Sequence, residues 1–220
     1  MKPISDALLY GILDMGYVRE GELERVCDRM LEGGVDVLQL RAKGVSEEEV
    51  EQLAGRVVAL TEAAGVPLIL NDHPALVPSV GAQGAHVGQE DFAVEDARWR
   101  AGRALAGEVT LPLIGKSTHS VEQAVAAAAE GADYLGFGPL FPTPTKAGRP
   151  AIGLEQIAEV YRRVDRPVFC IGGIKRENLE RVLAAGARRV VIVSGILQAA
   201  DIAGYCREVR AELAARLGGA

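Results

Sequence analysis

Two threonine hydroxyls and one ammonium fall within four residues, at Thr143, Thr145 and Lys146. They sit in the run Gly138-Pro139-Leu140-Phe141-Pro142-Thr143-Pro144-Thr145-Lys146, where prolines restrict the backbone and glycine exposes its amides. Hydroxyls, an ammonium and exposed N–H groups are what phosphate and diphosphate oxygens seek. The run follows an apolar, strand-like segment, Tyr134-Leu135-Gly136-Phe137, and other polar clusters also stand where apolar strands end. That recurrence points to an enzyme acting on phosphorylated substrates.

Val35-Asp36-Val37-Leu38-Gln39-Leu40-Arg41-Ala42-Lys43 carries the first such cluster. Side chains alternate along a strand, so Val35, Val37, Gln39, Arg41 and Lys43 share one face. Leu38, Leu40 and Ala42 share the other, suited to packing under helices. The first face starts apolar and ends cationic, and Gln39 on it must find partners if buried. Leu68-Ile69-Leu70 runs into Asn71-Asp72, and Ala85-His86-Val87 runs into Gly88-Gln89-Glu90-Asp91. Asp72 and Asp91 suit Mg²⁺, which takes one or two carboxylates with waters and phosphate oxygens. Aspartate also caps helices often, so that reading stands beside the metal. Leu113-Ile114-Gly115 ends in Lys116-Ser117-Thr118-His119. A hydroxyl there can bind substrate or cap the next helix, and His119 can be an acid/base or a structural residue. Ile171-Gly172-Gly173-Ile174 and Val193-Ser194-Gly195 offer backbone N–H groups near helix starts, a common phosphate cradle.

The elements needed to hold these clusters are a set of short strands alternating with helices. Strands are expected to begin near Leu8, Val35, Pro67, Gly84, Leu111, Tyr134, Pro167 and Val190. Helical patterns cover Glu20–Glu32, Ser46–Ala64, Ser120–Glu130, Leu154–Arg163 and Arg176–Ala185. Ser46 with Glu49, and Ser120 with Gln123, have capping-box spacing. Gly65, Gly131 and Gly186 stand where a helix-ending glycine belongs. The weakest unit is Pro74 to Val80, where only a short or irregular helix fits. Strand–helix alternation implies a parallel sheet, and eight units in 220 residues is the count of a compact TIM (β/α)₈ barrel. No linker or composition shift divides residues 1–220, which read as one domain.

Composition narrows the function classes. A net charge of −6 argues against a general nucleic-acid binder. No apolar run has the length of a membrane-spanning helix, and the start, Met1-Lys2-Pro3-Ile4-Ser5-Asp6, lacks a signal-peptide core. Cys27, Cys170 and Cys206 are odd in number and without metal spacing, which suits a reducing cytoplasm and no disulfides. Cys170, inside Val168-Phe169-Cys170-Ile171, reads as core packing. Expected partners are small molecules, with no nucleic acid and no membrane. Oligomeric state is left open.

Several ordered motifs together resemble the thiamine phosphate synthase family. They are Gln39-Leu40-Arg41-Ala42-Lys43, Asn71-Asp72, Gly84-Ala85-His86-Val87-Gly88-Gln89-Glu90-Asp91, Gly115-Lys116-Ser117-Thr118-His119, Gly136-Phe137-Gly138-Pro139 through Lys146, Ile171-Gly172-Gly173-Ile174 and Val193-Ser194. The resemblance spans nearly the whole chain, from Leu9-Tyr10 to Ser194. It implies a TIM barrel that joins 4-amino-2-methyl-5-hydroxymethylpyrimidine diphosphate to 4-methyl-5-hydroxyethylthiazole phosphate or its carboxylated form. Thiamine phosphate and diphosphate would be released, with carbon dioxide also lost from the carboxylated acceptor. It also implies roles. Gln39, Arg41, Lys43, Asn71, Ser117 and Lys146 would hold the pyrimidine diphosphate, and Asp72 and Asp91 would hold Mg²⁺. Thr143, Thr145, Gly173, Val193 and Ser194 would surround the thiazole phosphate. Arg41, Ser117 and Lys146 would be catalytic, by electrostatics and hydrogen bonding rather than covalently.

The chain departs from the family pattern where His73-Pro74 follows Asn71-Asp72, a place where the family commonly has arginine, and at Gly195, where it often has alanine. Two rival functions share the barrel. A thiazole tautomerase would use a histidine acid/base and would not need the aspartates with Arg41, Lys43 and Lys146. A non-catalytic ligand-binding paralogue would not need polar groups on so many strand ends.

Overall fold

Each of eight strands runs parallel to its neighbours, and the eighth pairs with the first, so the sheet closes into a barrel. The computed structural model describes residues 1–102, 111–143 and 150–218, with side chains to residue 216. The strands are β1 Leu9–Asp14, β2 Val37–Arg41, β3 Leu68–Asn71, β4 Gly84–Val87, β5 Leu113–Thr118, β6 Tyr134–Phe137, β7 Val168–Cys170 and β8 Val190–Ile192. Around them lie α1 Leu23–Glu32, α2 Glu47–Ala63, α3 Val77–Val80, α4 Val94–Ala101, α5 Val121–Ala129, α6 Ile157–Arg163, α7 Arg176–Ala184, α8 Ser194–Leu197 and α9 Ile202–Gly218. The expected (β/α)₈ barrel is present.

Strand alternation sorts the core into two layers. Leu9, Leu13, Leu38, Leu40, Leu68 and Leu70 point outward and pack under the helices. Tyr10, Ile12, Val37, Ile69, Tyr134, Phe169 and Val191 point inward and fill the barrel. Three inner rings meet there, with Phe169 edge-on to Tyr10 and Tyr134 at centroid distances of 5.4 and 5.8 Å. Edge-to-face contact sets the positive ring edge against the negative face of its neighbour. The barrel is therefore packed across its middle and opens only at the strand ends.

Strand β2 starts two residues later than expected, and Asp36 is the reason. Its buried carboxylate accepts the N–H groups of Leu8 and Leu9 at 2.9 and 3.0 Å. It also takes Lys2 at 2.7 Å and Arg210 at 3.2 Å. Those contacts tie the start of β1, the N-terminal segment and α9 to the barrel floor.

The helix ends follow their capping residues. Ser46 and Glu49 form the full box: Glu49 N–H donates to Ser46 Oγ at 3.2 Å, and Ser46 N–H donates to Glu49 Oε2 at 2.9 Å. At Ser120 only half of the expected box forms. Gln123 N–H donates to Ser120 Oγ at 3.2 Å, but Gln123 Oε1 takes the N–H of His119 instead, at 2.8 Å. Gly65, Gly131 and Gly186 follow their helices with φ of 67°, 89° and 105°. Pro74–Val80 folds as a 3₁₀ turn leading into the single-turn α3. Helices α4, α8 and α9 lie outside the segments named from sequence. Ile202, Cys206, Val209 and Leu213 form the buried stripe of α9.

Candidate active site

The C-terminal ends of the strands surround a cavity of about 850 Å³, counting its open mouth. Gln39, Arg41, Asn71, Ser117, Thr143, Gly173, Val193 and Ser194, all expected from sequence, line it together. Lys43 and Asp72 follow β2 and β3, and Asp91 lies in the loop after β4. Thr145 and Lys146 lie outside the described residues.

Strand β2 delivers its polar face as alternation requires. Gln39 is buried, and its Nε2 donates to Tyr10 Oη at 2.8 Å. One turn of the pleat further, Arg41 donates through Nη1 to Asp14 Oδ2 at 2.7 Å. Asp14 ends β1, is almost fully buried, and also accepts Gly16 N–H at 2.9 Å. A charge-assisted bond to a buried carboxylate fixes the guanidinium plane. The rest of the fork is left to the cavity that Arg41 lines.

Asp72 holds a left-handed backbone, φ 63°, the sole non-glycine residue with positive φ among the described residues. Aspartate tolerates that region better than most residues because its short chain bonds locally. Here Asp72 Oδ2 accepts Asn71 Nδ2 at 2.7 Å and pairs with Lys43 Nζ, while its own N–H reaches His86 O at 2.9 Å. Asp91 is exposed, and its Oδ2 accepts Gly88 N–H at 2.7 Å, closing the loop after β4. Neither aspartate caps a helix. α4 begins after Ala93, and the 3₁₀ turn at Pro74 begins after His73; neither start has a side-chain cap. The capping alternative is thereby removed.

No group of three or more His, Cys, Asp or Glu side chains gathers as a metal cage among the described residues. A Mg²⁺ site does not require one, since this ion keeps waters and substrate oxygens around one or two carboxylates. Asp72, which pairs with Lys43, and Asp91 in the loop after β4 supply carboxylate oxygens of that kind.

Strand β5 splits by face. Ser117 turns inward, where its Oγ lies 2.9 Å from His86 Nε2. Its neighbours point out. Lys116 is buried and holds the Phe92 carbonyl at 2.9 Å, and Thr118 donates to Gly136 O at 2.9 Å. His119 hydrogen-bonds the Gly138 carbonyl through Nδ1, so of its two open readings the structure supports the structural one.

The opposite wall is made of backbone. Gly172 and Gly173 have φ of 98° and 65°. A Cβ on Gly172 would stand 2.4 Å from Pro139 Cα, and one on Gly173 would stand 2.7 Å from Phe141 Cβ. Only glycine allows that approach. It lets Leu140 and Phe141 donate their N–H groups to Ile171 O and Gly172 O at 2.9 and 3.0 Å. The stem of the Thr143 loop is thus stitched to the end of β7.

Sequence reasoning missed Tyr10, Asp14, His86 and Tyr134. Asp14 was readable by the rule that found Asp72, an aspartate ending an apolar strand. His86 shares a strand face with Gly84, so alternation placed it inward. Nothing in the sequence pattern separates Tyr10 and Tyr134 from ordinary core aromatics. The three cysteines are buried, and burial pushes each thiol up to about 12, as inert core residues require.

A family profile described as thiamine monophosphate synthase matches residues 9–196, from the first residue of β1 to the middle of α8. This chain belongs to that family. It is similar to the thiamine-phosphate synthase of Thermus thermophilus, at 44% identity over 90% of this chain and 92% of the relative. It is 42% identical to that of Acidothermus cellulolyticus over 99% and 98% of the two chains. Among solved structures it resembles a thiamine phosphate pyrophosphorylase from Pyrococcus furiosus, with TM-score 0.85 and 30% identity over 98% and 99% of the chains. A member of the thiamine monophosphate synthase family is a transferase of thiamine biosynthesis, and this chain is one. Among the described residues no helix is long and apolar enough to cross a membrane.

Proposed function

We propose that this chain makes thiamine phosphate from the pyrimidine diphosphate and the thiazole phosphate, or from its carboxylated form with loss of carbon dioxide, in the cytoplasm. One observation carries the assignment of sites. The residues expected to hold the pyrimidine diphosphate (Gln39, Arg41, Asn71, Ser117) and those expected to hold the thiazole phosphate (Thr143, Gly173, Val193, Ser194) line one cavity. Two substrates held there stand side by side, and positioning of that kind removes much of the barrier to a two-substrate reaction.

The reaction breaks the bond between the pyrimidine's methylene carbon and its bridging diphosphate oxygen, and the electron pair leaves with diphosphate. The thiazole nitrogen supplies its lone pair to the methylene carbon, forming the new carbon–nitrogen bond. That nitrogen carries no proton, so no general base is assigned. Arg41, pre-set by Asp14, and Lys43 face the leaving diphosphate and neutralise charge as it develops. Lys43 gives up its Asp72 partner to do so. Asp72 and Asp91 would hold Mg²⁺, which neutralises diphosphate oxygens when bound. Ser117 binds by hydrogen bonding. Thr145 and Lys146 complete the anion-binding set.

The test is to incubate purified protein with both substrates and Mg²⁺ and to oxidise any thiamine phosphate to fluorescent thiochrome. Product that needs both substrates and disappears with EDTA is the expected result. A folded protein that makes none overturns the synthase reading, and product that persists with EDTA overturns the metal. Lys146→Ala should fold and lose most turnover in the same assay.

A further inference from the structure

Five polar side chains from five strands form one chain across the barrel interior. Gln39 Nε2 donates to Tyr10 Oη at 2.8 Å, and Tyr10 Oη lies 3.0 Å from Tyr134 Oη. Tyr134 Oη lies 3.3 Å from His86 Nδ1, and His86 Nε2 lies 2.9 Å from Ser117 Oγ. All five line the cavity. The contacts follow the order β2, β1, β6, β4, β5, so the chain spans the barrel rather than running along one edge.

Counting protons gives this chain a direction. An amide N–H can only donate, so Tyr10 Oη accepts from Gln39. Its single proton then goes to Tyr134, its other partner, since the reverse would bury that proton with no acceptor among the described residues. Tyr134, having accepted, gives its own proton to His86 Nδ1. A neutral imidazole that accepts at Nδ1 carries its proton on Nε2, and it donates that proton to Ser117 Oγ. The Ser117 proton is therefore directed away from His86. At the other end Gln39 gives one Nε2 proton to Tyr10, which fixes the orientation of the amide and presents Oε1 as the acceptor. Burial raises both phenols well above their ordinary range, so both remain donors at neutral pH.

A close approach holds the middle of the chain in place. A Cβ on Gly115 would stand 2.1 Å from Tyr134 Cζ and 2.5 Å from its hydroxyl. Only glycine on β5 lets that ring lie against the strand with its hydroxyl at His86.

We infer that Tyr10, Tyr134 and His86 are positioning residues that fix opposite hydrogen-bond polarity at Gln39, an acceptor, and Ser117, a donor, for a nitrogen heterocycle that has both an amino donor and a ring-nitrogen acceptor. This rests on the function proposed above, in which the aminopyrimidine is that heterocycle. The thiazole, which has no amino group, is indifferent to it. Hydrogen bonds that act as a connected network transmit the loss of one member to the others. Without the Tyr134 hydroxyl, His86 Nδ1 loses the donor that keeps the ring proton on Nε2, and the proton can move to Nδ1. Its Nε2 then accepts from Ser117, and the donor at that end is reversed.

The experiment reads the imidazole tautomers by ¹⁵N NMR in the substrate-free protein and both KM values by the thiochrome assay. The chain has only three histidines, so the ring signals are separable, and His86→Asn assigns the one in question. The expected wild-type state of His86 is neutral with the proton on Nε2 alone. In Tyr134→Phe, which deletes one oxygen, that single-tautomer signature is lost. KM for the pyrimidine diphosphate rises about tenfold, the ratio one net hydrogen bond supports, and KM for the thiazole phosphate holds. Tyr10→Phe releases the Gln39 end while Tyr134 still donates to His86 Nδ1, so KM for the pyrimidine diphosphate rises with the His86 signature kept. That variant keeps the test available if Tyr134→Phe does not fold. A wild-type His86 protonated on Nδ1, unchanged His86 signals in Tyr134→Phe, or equal shifts of both KM values in either variant overturns the inference. The tautomer is read without substrate. A wild type that makes no thiamine phosphate therefore sinks the functional reading, whereas a failed tautomer result sinks the relay alone.

Discussion

The barrel holds one buried aspartate at each end, and they are used differently. Asp36 at the floor and Asp14 at the mouth have side chains only 4% and 2% exposed. Asp36 is surrounded by donors: two backbone N–H groups on one oxygen, Lys2 and Arg210 on the other. Asp14 meets one backbone N–H and one cation, Arg41. At the floor two cations converge on one carboxylate, and the cluster ties three segments together. At the mouth the single cation keeps further N–H groups for the cavity. The same buried ion pair is a clamp where its cations are spent on the carboxylate, and part of a binding site where its cation has donors left over. In a barrel of this kind, floor residues read as stability and mouth residues as chemistry.

Removing Arg41 should have the largest effect, because it strikes both functions of the mouth pair. Arg41→Met is expected to lower kcat/KM by about a thousandfold, the scale of a removed transition-state charge contact. It should also cost about 3 kcal/mol of stability by leaving Asp14 buried without its cation. The Asp14→Asn/Arg41→Met double variant should recover most of the stability and none of the turnover. Urea unfolding and the thiochrome assay separate the two. A double variant that regains turnover would show that the guanidinium is not needed at the mouth.

Asp36→Asn should do the reverse, at a cost of about 3 kcal/mol of stability with kcat/KM unchanged. Burial acts to raise the Asp36 carboxyl, but Lys2, the Leu9 and Leu8 amides and Arg210 outweigh it and hold the pKa below the ordinary value of 3.8. A folded pKa lowered in this way stabilises the protein fully above the unfolded pKa, and the contribution is lost as pH falls through the folded one. Wild-type Tm should therefore drop on acidification below the ordinary carboxylate range, and Asp36→Asn should lack that part of the drop. An equal acid slope in both proteins would remove Asp36 as the clamp.

Both ends of the barrel were legible in part. Period-two alternation separated Gln39 and Arg41 from Leu38 and Leu40, because a strand allows only two faces. Polar residues ending apolar strands gave Asn71, Asp72 and Ser117, and Ser46 announced its helix by a local hydrogen bond. What stayed hidden depends on contacts far apart in sequence. Tyr10 and Tyr134 meet across 124 positions, and each alone reads as core. The Ser120 box failed for a local reason that spacing does not encode, since the His119 amide competes for the same Gln123 oxygen. Asp36 was given no role from sequence, and only the approach of Lys2 and α9 makes it a clamp.

A smaller effect is expected at Asp91, where the loop contact and the proposed metal role compete. Asp91→Ala removes the acceptor of the Gly88 amide, an exposed bond whose loss costs at most about 1 kcal/mol. If Asp91 also holds Mg²⁺, half-maximal turnover should need about ten to a hundred times more Mg²⁺, with Tm nearly unchanged. An unchanged Mg²⁺ requirement leaves Asp91 as a loop-closing residue and Asp72 as the carboxylate at that rim.

The smallest effects separate the two ends most finely. Lys2 and Arg210 share one oxygen of Asp36 and are each about one-third exposed, so either can shield that charge when the other is lost. Lys2→Met and Arg210→Met should each cost less than about 1 kcal/mol, because solvent and the remaining cation compensate. The pair together should cost more than the sum, since only then is the buried carboxylate left with amides alone. Asp14 has no such reserve among the described residues, so the single Arg41→Met should exceed the floor's double variant in stability lost. If instead the two floor losses simply add, Asp36 is held by its amides rather than by its cations. The contrast between a shared clamp and a single aimed cation would then reduce to the mouth alone.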